Sequence, residues 1–217
     1  MKNYVRSIIW TFTLLIFFQA DLFAAVKPVQ ITATTSLLAC AVKEIGGKHV
    51  KVDVIIAPGS CPGHYDVSPK DLRKLSASEL LFTHGYEGFV PKMLKSLGSK
   101  KPRQVSISVK GNWMVPSVYI QALQQVTKLL SSTDSAHASE YKKNLKTLES
   151  RYKKLDTDLR KKLKAAGASK AVVLCSDQQA PLVKWMGLMV IDTYPRAEEF
   201  TPVLLHHMTK IGRKKHV

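Results

Sequence analysis

The residues best suited to chemistry lie in one short stretch, GSCPGHYD, which occupies residues 59–66. It places the thiol of Cys61 three residues before the imidazole of His64 and adds the carboxylate of Asp66. Imidazole is the commonest metal ligand in proteins, and Cys-x-x-His spacing lets both side chains face one ion. The stretch therefore predicts one wall of a metal site, and the alternative is a tight turn that contains a histidine.

The N-terminus has the pattern of a secretory signal peptide. Lys2 and Arg6 precede an almost wholly apolar run at 7–18, and two alanines then offer a cleavage site after residue 25. The run is too short to cross a bilayer, which takes ~20 apolar residues, and no cysteine for a lipid anchor stands at the cleavage site. Residues 1–25 therefore predict export of a soluble protein, most simply to the periplasm.

Export bears on the three cysteines, because disulfides form in oxidising compartments. A disulfide between Cys61 and Cys175 is one alternative, and inert thiols are another. Cys40 lies on an otherwise apolar helix face, where we expect a buried free cysteine. An exported thiol- or metal-dependent enzyme built on Cys61, His64 and Cys175 is a rival function. The chain contains no CxxC, HExxH or GxSxG motif, so we predict that it is not an enzyme.

The charge is strongly basic, with 33 Lys and Arg against 16 Asp and Glu and a formal net charge of +17. Such a balance is compatible with nucleic-acid binding. No zinc-finger, RNP-type or arginine-rich motif accompanies the lysines, which fall mostly on one long helical stretch. We therefore predict a solvated basic face, no nucleic-acid partner, and a monomer.

Strand-like and helix-like segments alternate along the chain, which predicts an α/β fold with parallel sheets. The strand-like runs are 29–34, 49–58, 79–85, 104–109, 171–176 and 188–194. The helix-like runs are 37–47, 68–75, 89–98, 116–130, 181–187 and 201–217. At the second helix, Ser68 and Asp71 can form a capping box, with Pro69 at the first helical position.

Leucines and tyrosines recur every three or four residues from Ser135 to Ala166, which predicts one helix of roughly 45 Å. We expect a rigid connector between two lobes rather than a coiled-coil dimer. The predicted division is a signal peptide at 1–25, an α/β lobe at 26–134, the helix at 135–166, and a partial α/β lobe at 167–217. The lobe at 167–217 has only two clear strands, which would leave sheet edges unpaired, so we expect this lobe to be incomplete.

The blocks ITATTSLLACAVKEIGG, VDVIIAPGSCPGHYDVSPKDLRKLSASELLFTHGYEGF and AVVLCSDQQAPLVKWMGLMVIDTYPRAEEFTP resemble a known family. It comprises the zinc/manganese-type metal-binding receptors of ABC importers (the cluster A-I periplasmic solute-binding proteins). The resemblance covers nearly all of residues 29–217 and is strongest in the first half. It implies two α/β lobes joined by one rigid helix, a metal ion in the cleft, and an ABC permease of the inner membrane as partner.

Only His64 corresponds residue for residue to a ligand of that family. The family's Asn-Pro-His box is replaced by GNWMVP at 111–116, and its third ligand falls near Ser176, beside Cys175. We therefore predict a site of His64, implied by the resemblance, Cys61, from the Cys-x-x-His spacing, and Cys175, which lies in the region of a family ligand. Zn²⁺ is favoured over Mn²⁺ because thiolates are soft donors. Further ligands or hydrogen-bond acceptors would be Asp66, Ser176, Asp177 and Glu199. A degenerate or truncated receptor without metal binding is the alternative.

Overall fold

The computed structural model describes residues 27–60, 63 and 65–215, so the predicted signal peptide at 1–25 lies outside the described residues. The first sheet contains four parallel strands in the order β2-β1-β3-β4. They are β1 (Val29–Ala33), β2 (Val50–Val54), β3 (Leu80–Thr83) and β4 (Arg103–Ser106). Parallel strands need crossover connections, and helices supply all three of them.

Four helices cover the two faces of this sheet: α1 (Ser36–Gly46), α2 (Pro69–Ser76), α3 (Val90–Leu97) and α4 (Pro116–Thr133). Side chains along β3 alternate between two hydrophobic cores, one on each face of the sheet, because successive side chains of a strand point to opposite faces. Leu80 and Phe82 pack with residues of α1 and α4, whereas Leu81 packs with residues of α2 and α3. The lobe is therefore a helix–sheet–helix sandwich, which confirms the predicted α/β class.

The start of α2 has the predicted capping box. The Asp71 carboxylate accepts hydrogen bonds from the Ser68 backbone N–H at 2.9 Å and from its hydroxyl at 2.6 Å. The Ser68 hydroxyl in turn accepts from the Asp71 N–H at 3.3 Å. The Tyr65 hydroxyl donates to the same carboxylate at 2.7 Å and lies 3.1 Å from the Ile55 carbonyl. These hydrogen bonds hold the end of the GSCPGHYD stretch against the residue that follows β2 and against the first turn of α2.

The long helix, α5 (Ala138–Ala165), has 28 residues, which gives a length of about 42 Å at 1.5 Å per residue. It begins at Ala138 because residues 135–137 form a 3₁₀ turn. Tyr141 and Leu148 are buried in the core shared with α1 and α4. The apolar face therefore packs within the chain, whereas Leu155, farther along, is 41% exposed.

The second sheet consists, within the described ranges, of two parallel strands, β5 (Val172–Ser176) and β6 (Met189–Tyr194). The helices here are α6 (Ala180–Trp185) and α7 (Pro202–Lys215). The Trp185 indole N–H donates to Asp156 of α5 at 2.8 Å, and the Arg160 guanidinium lies 5.1 Å from the Trp185 ring centre. The long helix therefore contacts both α/β regions.

Several predicted element boundaries differ from the structure by a few residues; β3 ends at Thr83 rather than 85, and β4 at Ser106 rather than 109. The second strand ends at Val54 rather than 58, although the Ile55 and Ile56 N–H groups still bond to carbonyls at the end of β1. Cys40 is exposed rather than buried. It lies about 200° around the helix from Leu38, and the face that packs on the sheet carries Leu38, Val42 and Ile45. None of the helices in the described part of the chain has the length and apolarity needed to cross a membrane.

Candidate functional site

A cleft of about 1120 Å³ opens beyond the carboxyl ends of the first sheet's strands. Thr35 follows β1, the segment 84–89 follows β3, and the segment 106–109 begins at the end of β4. The second lobe contributes the opposite side through Asp177, Gln178, Pro181 and Arg196. Ligands of open α/β sheets bind at this edge, since strand ends and helix starts converge there. The cleft is therefore the candidate site.

The floor of the cleft is organised by the carboxylate of Glu87, which is only 5% exposed. It accepts hydrogen bonds from the backbone N–H groups of His84 and Gly85, each at 2.8 Å, and from the Thr34 hydroxyl at 2.5 Å. Gly85 has φ of +92°, a conformation that suits glycine. The carboxylate therefore fixes a tight turn after β3 and sets the direction of the His84 side chain.

The imidazole of His84 forms part of the cleft wall. Its Nε2 shares a hydrogen bond of 2.9 Å with the Thr35 hydroxyl. The ring stacks on Tyr86 at 5.2 Å and meets Trp113 edge-on at 4.8 Å. Burial lowers the pKa of His84, partly opposed by the Glu87 carboxylate. The ring is therefore neutral at neutral pH, which is the form that can bind a metal ion.

The segment after β4 contributes Asn112 and Trp113. Trp113 is largely buried, at 9% exposure, and packs within the core of the first lobe. The Asn112 side-chain amide donates to the Gln178 carbonyl at 3.0 Å and its oxygen accepts from the Met114 N–H at 2.8 Å. The GNWMVP segment thus supplies an aromatic wall and a hydrogen bond between the lobes.

Two of the three predicted ligands, Cys61 and His64, lie outside the described residues. Their chain neighbours Gly63 and Tyr65 both line the cleft. The Tyr65 ring lies 5.2 Å from that of Phe89, and burial together with the Asp71 carboxylate raises the pKa of Tyr65 to about 12. Tyr65 is therefore a neutral, hydrogen-bonded anchor immediately after position 64.

The remaining predicted site residues are described, and they do not converge. Asp177 is exposed and lines the cleft. Cys175 is a buried free thiol at 6% exposure, and the half-buried Ser176 accepts from the Gln179 N–H at 3.3 Å. Asp66 and Glu199 are both exposed and are not among the residues that line the cleft. Whether Cys175 is a ligand or a disulfide partner of Cys61 stays a prediction.

Across residues 27–60, 63 and 65–215, no three His, Cys, Asp or Glu side chains are grouped so that they could hold a metal ion. Any site built on the predicted ligands therefore depends on Cys61 and His64. His84 was not among the site residues predicted from the sequence. The signal that pointed to His64, a histidine directly after a strand, applies equally to His84 at the end of β3.

The fold and the cleft define a two-lobed α/β binding protein, and comparison with known proteins places it in a family. The family model described as ZnuA, zinc-uptake complex component A, periplasmic, matches residues 31–217. The chain belongs to this family, which comprises binding proteins of metal importers rather than enzymes. Both the predicted family and the prediction that the chain is not an enzyme are thereby confirmed.

Individual relatives differ in the metal that they are named for. The manganese-binding lipoprotein MntA of Bacillus subtilis is 29% identical over 158 residues, which are 64% of this chain and 52% of that protein. The iron ABC transporter substrate-binding lipoprotein MtsA of Streptococcus pyogenes is 23% identical over 173 residues, 69% of this chain and 56% of the relative. The chain thus spans about half the length of these relatives.

The fold agrees with solved structures. A zinc-bound deletion mutant of ZnuA superposes with a TM-score of 0.73 at 17% identity, covering 88% of this chain and 79% of the other. At such low identity the likeness concerns the fold alone, including the parallel sheets and the long helix.

Proposed function

We propose that the chain is an extracytoplasmic receptor that captures a divalent metal ion, Zn²⁺, and delivers it to an ABC permease. One observation carries the proposal. The family match spans residues 31–217, and the cleft opens at the carboxyl ends of the first sheet with Gly63 and Tyr65 in its wall. The residue between them is His64, the one position that matches a family ligand.

The proposed ligands are His64, Cys61 and Cys175, and oxygen donors such as Asp177 would complete the shell. Thiolate and imidazole donors favour Zn²⁺ over Mn²⁺, which prefers carboxylate and water oxygens. Cys175 lies two residues before the cleft residue Asp177, and its buried thiol would have to become accessible from the cleft to bind the ion. Relatives named for manganese, iron and zinc show that family membership alone does not select the ion.

We propose the same organisation as the sequence predicts: a signal peptide at 1–25, a lobe at 26–134, a connecting helix at 135–166 and a second lobe at 167–217. Hydrogen bonds from Asn112 to Gln178 and from Trp185 to Asp156 support two lobes that are held together by direct contact and by one rigid helix. The mature chain would act as a monomer in the periplasm.

Native mass spectrometry of the reduced mature protein tests this proposal. The expected result is one retained Zn²⁺ and much weaker retention of Mn²⁺. His64→Ala should lower zinc retention without changing the thermal unfolding of the first lobe. Oxidation with diamide should join the thiols of Cys61 and Cys175 and abolish zinc binding.

The matched control is His206→Ala, which removes an exposed imidazole from α7. It should retain zinc as the wild type does. Zinc retention by His64→Ala equal to that of the His206→Ala control would overturn the proposed site. A reduced wild type that retains no zinc would overturn the proposed function.

A further inference from the structure

The outward face of α5 is a continuous basic surface. At about 100° per residue, eight basic side chains fall within a sector of about 120°, roughly opposite the buried Tyr141 and Leu148. These are Lys142, Lys143, Lys146, Lys153, Lys154, Arg160, Lys161 and Lys164, and all eight are exposed. We call this set the basic stripe.

The stripe contains no acidic residue. Only the hydroxyl residues Ser139, Ser150 and Thr157 share its sector, and the four acids of α5 project outside it. Arg160 pairs with Asp156 at 2.9 Å, and the other seven cations form no ion pair with any described residue. Acids flank the stripe at helical spacing, as Glu149 does Lys153 and Asp158 does Lys154, but they project beside it. Within the stripe itself like charges adjoin, and like charges four residues apart repel one another.

The shape of the stripe restricts its partner. From Lys142 to Lys164 it runs straight for about 33 Å at 1.5 Å per residue. No aromatic side chain lies in the sector, so it lacks the stacking groups that single-stranded nucleic acid uses. The apolar face of the first half of α5 is packed against α1 and α4, so the helix as a whole is not free to insert into a hydrocarbon layer. The stripe is therefore an elongated surface that can bind a partner through its charge alone.

We propose that the basic stripe binds the anionic phospholipid surface of the membrane, with α5 lying parallel to the bilayer plane. Basic side chains near an anionic leaflet add attraction charge by charge, and no insertion is required. Membrane-bound receptors then search for the permease in two dimensions. This binding is separate from metal capture, because the stripe lies on the helix face away from the core and none of its residues lines the cleft.

Sedimentation with vesicles tests the proposal on the whole mature chain without metal. Vesicles of phosphatidylglycerol and phosphatidylcholine are compared with vesicles of phosphatidylcholine alone at low salt. The stripe variant is Lys142→Gln, Lys146→Gln, Lys153→Gln and Lys164→Gln together. Each basic side chain strengthens binding to the anionic vesicles about fivefold. The stripe variant should therefore partition onto these vesicles at least about 100-fold more weakly than the wild type. Binding of the wild type should also vanish at 1 M salt, where the Debye length is about 3 Å.

The matched control removes four exposed lysines from the first lobe: Lys70→Gln, Lys92→Gln, Lys95→Gln and Lys100→Gln. Both variants have the same net charge, so an effect of total charge alone would lower their binding equally and would overturn the proposal. Equal circular dichroism spectra would verify that both variants fold. If the wild-type protein binds a DNA duplex but not the anionic vesicles, the membrane proposal is overturned and the stripe is a nucleic-acid-binding surface. Selective loss in the stripe variant, with the control near wild type, would support it.

Discussion

Replacing Glu87 should loosen the turn that forms the floor of the cleft. Its carboxylate is the sole acceptor that the structure shows for the Gly85 N–H, and it also accepts from the His84 N–H and the Thr34 hydroxyl. Glu87→Gln keeps the size of the side chain but replaces one oxygen with a donor. The least costly orientation turns that donor toward Gly85, because one oxygen serves both Thr34 and His84.

The expected loss follows from these contacts. A hydrogen bond to a charged group contributes about 1.5–3 kcal/mol, so Glu87→Gln should lower the free energy of unfolding by about that amount. Glu87→Ala leaves three donors without their acceptor, and the buried Thr34 hydroxyl alone costs about 1–3 kcal/mol when unsatisfied, so a loss at least as large as that of Glu87→Gln is expected. Urea unfolding followed by tryptophan fluorescence measures both values.

The control for Glu87 is Glu79→Gln, because the exposed Glu79 accepts a single backbone N–H, that of Gln30, at 3.1 Å. A surface change of this kind should stay within about 0.5 kcal/mol. Hydrogen exchange should show faster exchange of the Gly85 amide only in the Glu87 variants. If Glu87→Gln unfolds at the same urea concentration as Glu79→Gln and leaves that amide protected, the carboxylate does not organise the turn.

Three further outcomes are expected. Hydrogen bonds from Ser68 and Tyr65, against the opposing effect of burial, lower the pKa of Asp71. Its stabilisation is therefore complete above the unfolded carboxyl pKa of about 4 and is lost as pH falls through the lower folded value. The stability gap between wild type and Asp71→Asn, measured by urea unfolding, should close at acid pH, and a constant gap would contradict this. Gly46→Ala should destabilise by about 1–3 kcal/mol, because the new Cβ would overlap the methyl groups of Val50, whereas Gly88→Ala meets no atom within 4 Å and should be near neutral. Native-state hydrogen exchange should be faster in residues 171–215, which bury few side chains, than in the first lobe, and uniform protection would refute that expectation.

The local sequence determined the elements and their order. Alternating strand and helix patterns predicted the parallel sheet, and the Ser68–Asp71 box predicted where α2 begins. The spacing of Tyr141 and Leu148 predicted the long helix. These features depend on residues a few positions apart, whose periods and capping bonds are written directly in the chain.

Tertiary structure decided which side chains meet. Cys40 differs from the buried Leu38 and Val42 only in its angle around α1, and the direction from which the sheet packs settles its exposure. The sheet order β2-β1-β3-β4 places the ends of β1 and β3 side by side, so Thr35 and His84 come together from 49 residues apart. No local pattern determines that Thr35 and His84 are neighbours, because their proximity results from the packing of all three crossover connections of the sheet. The sequence therefore determined that a cleft-forming fold would exist, and the packing determined that His84, Glu87 and Trp113 would form its wall.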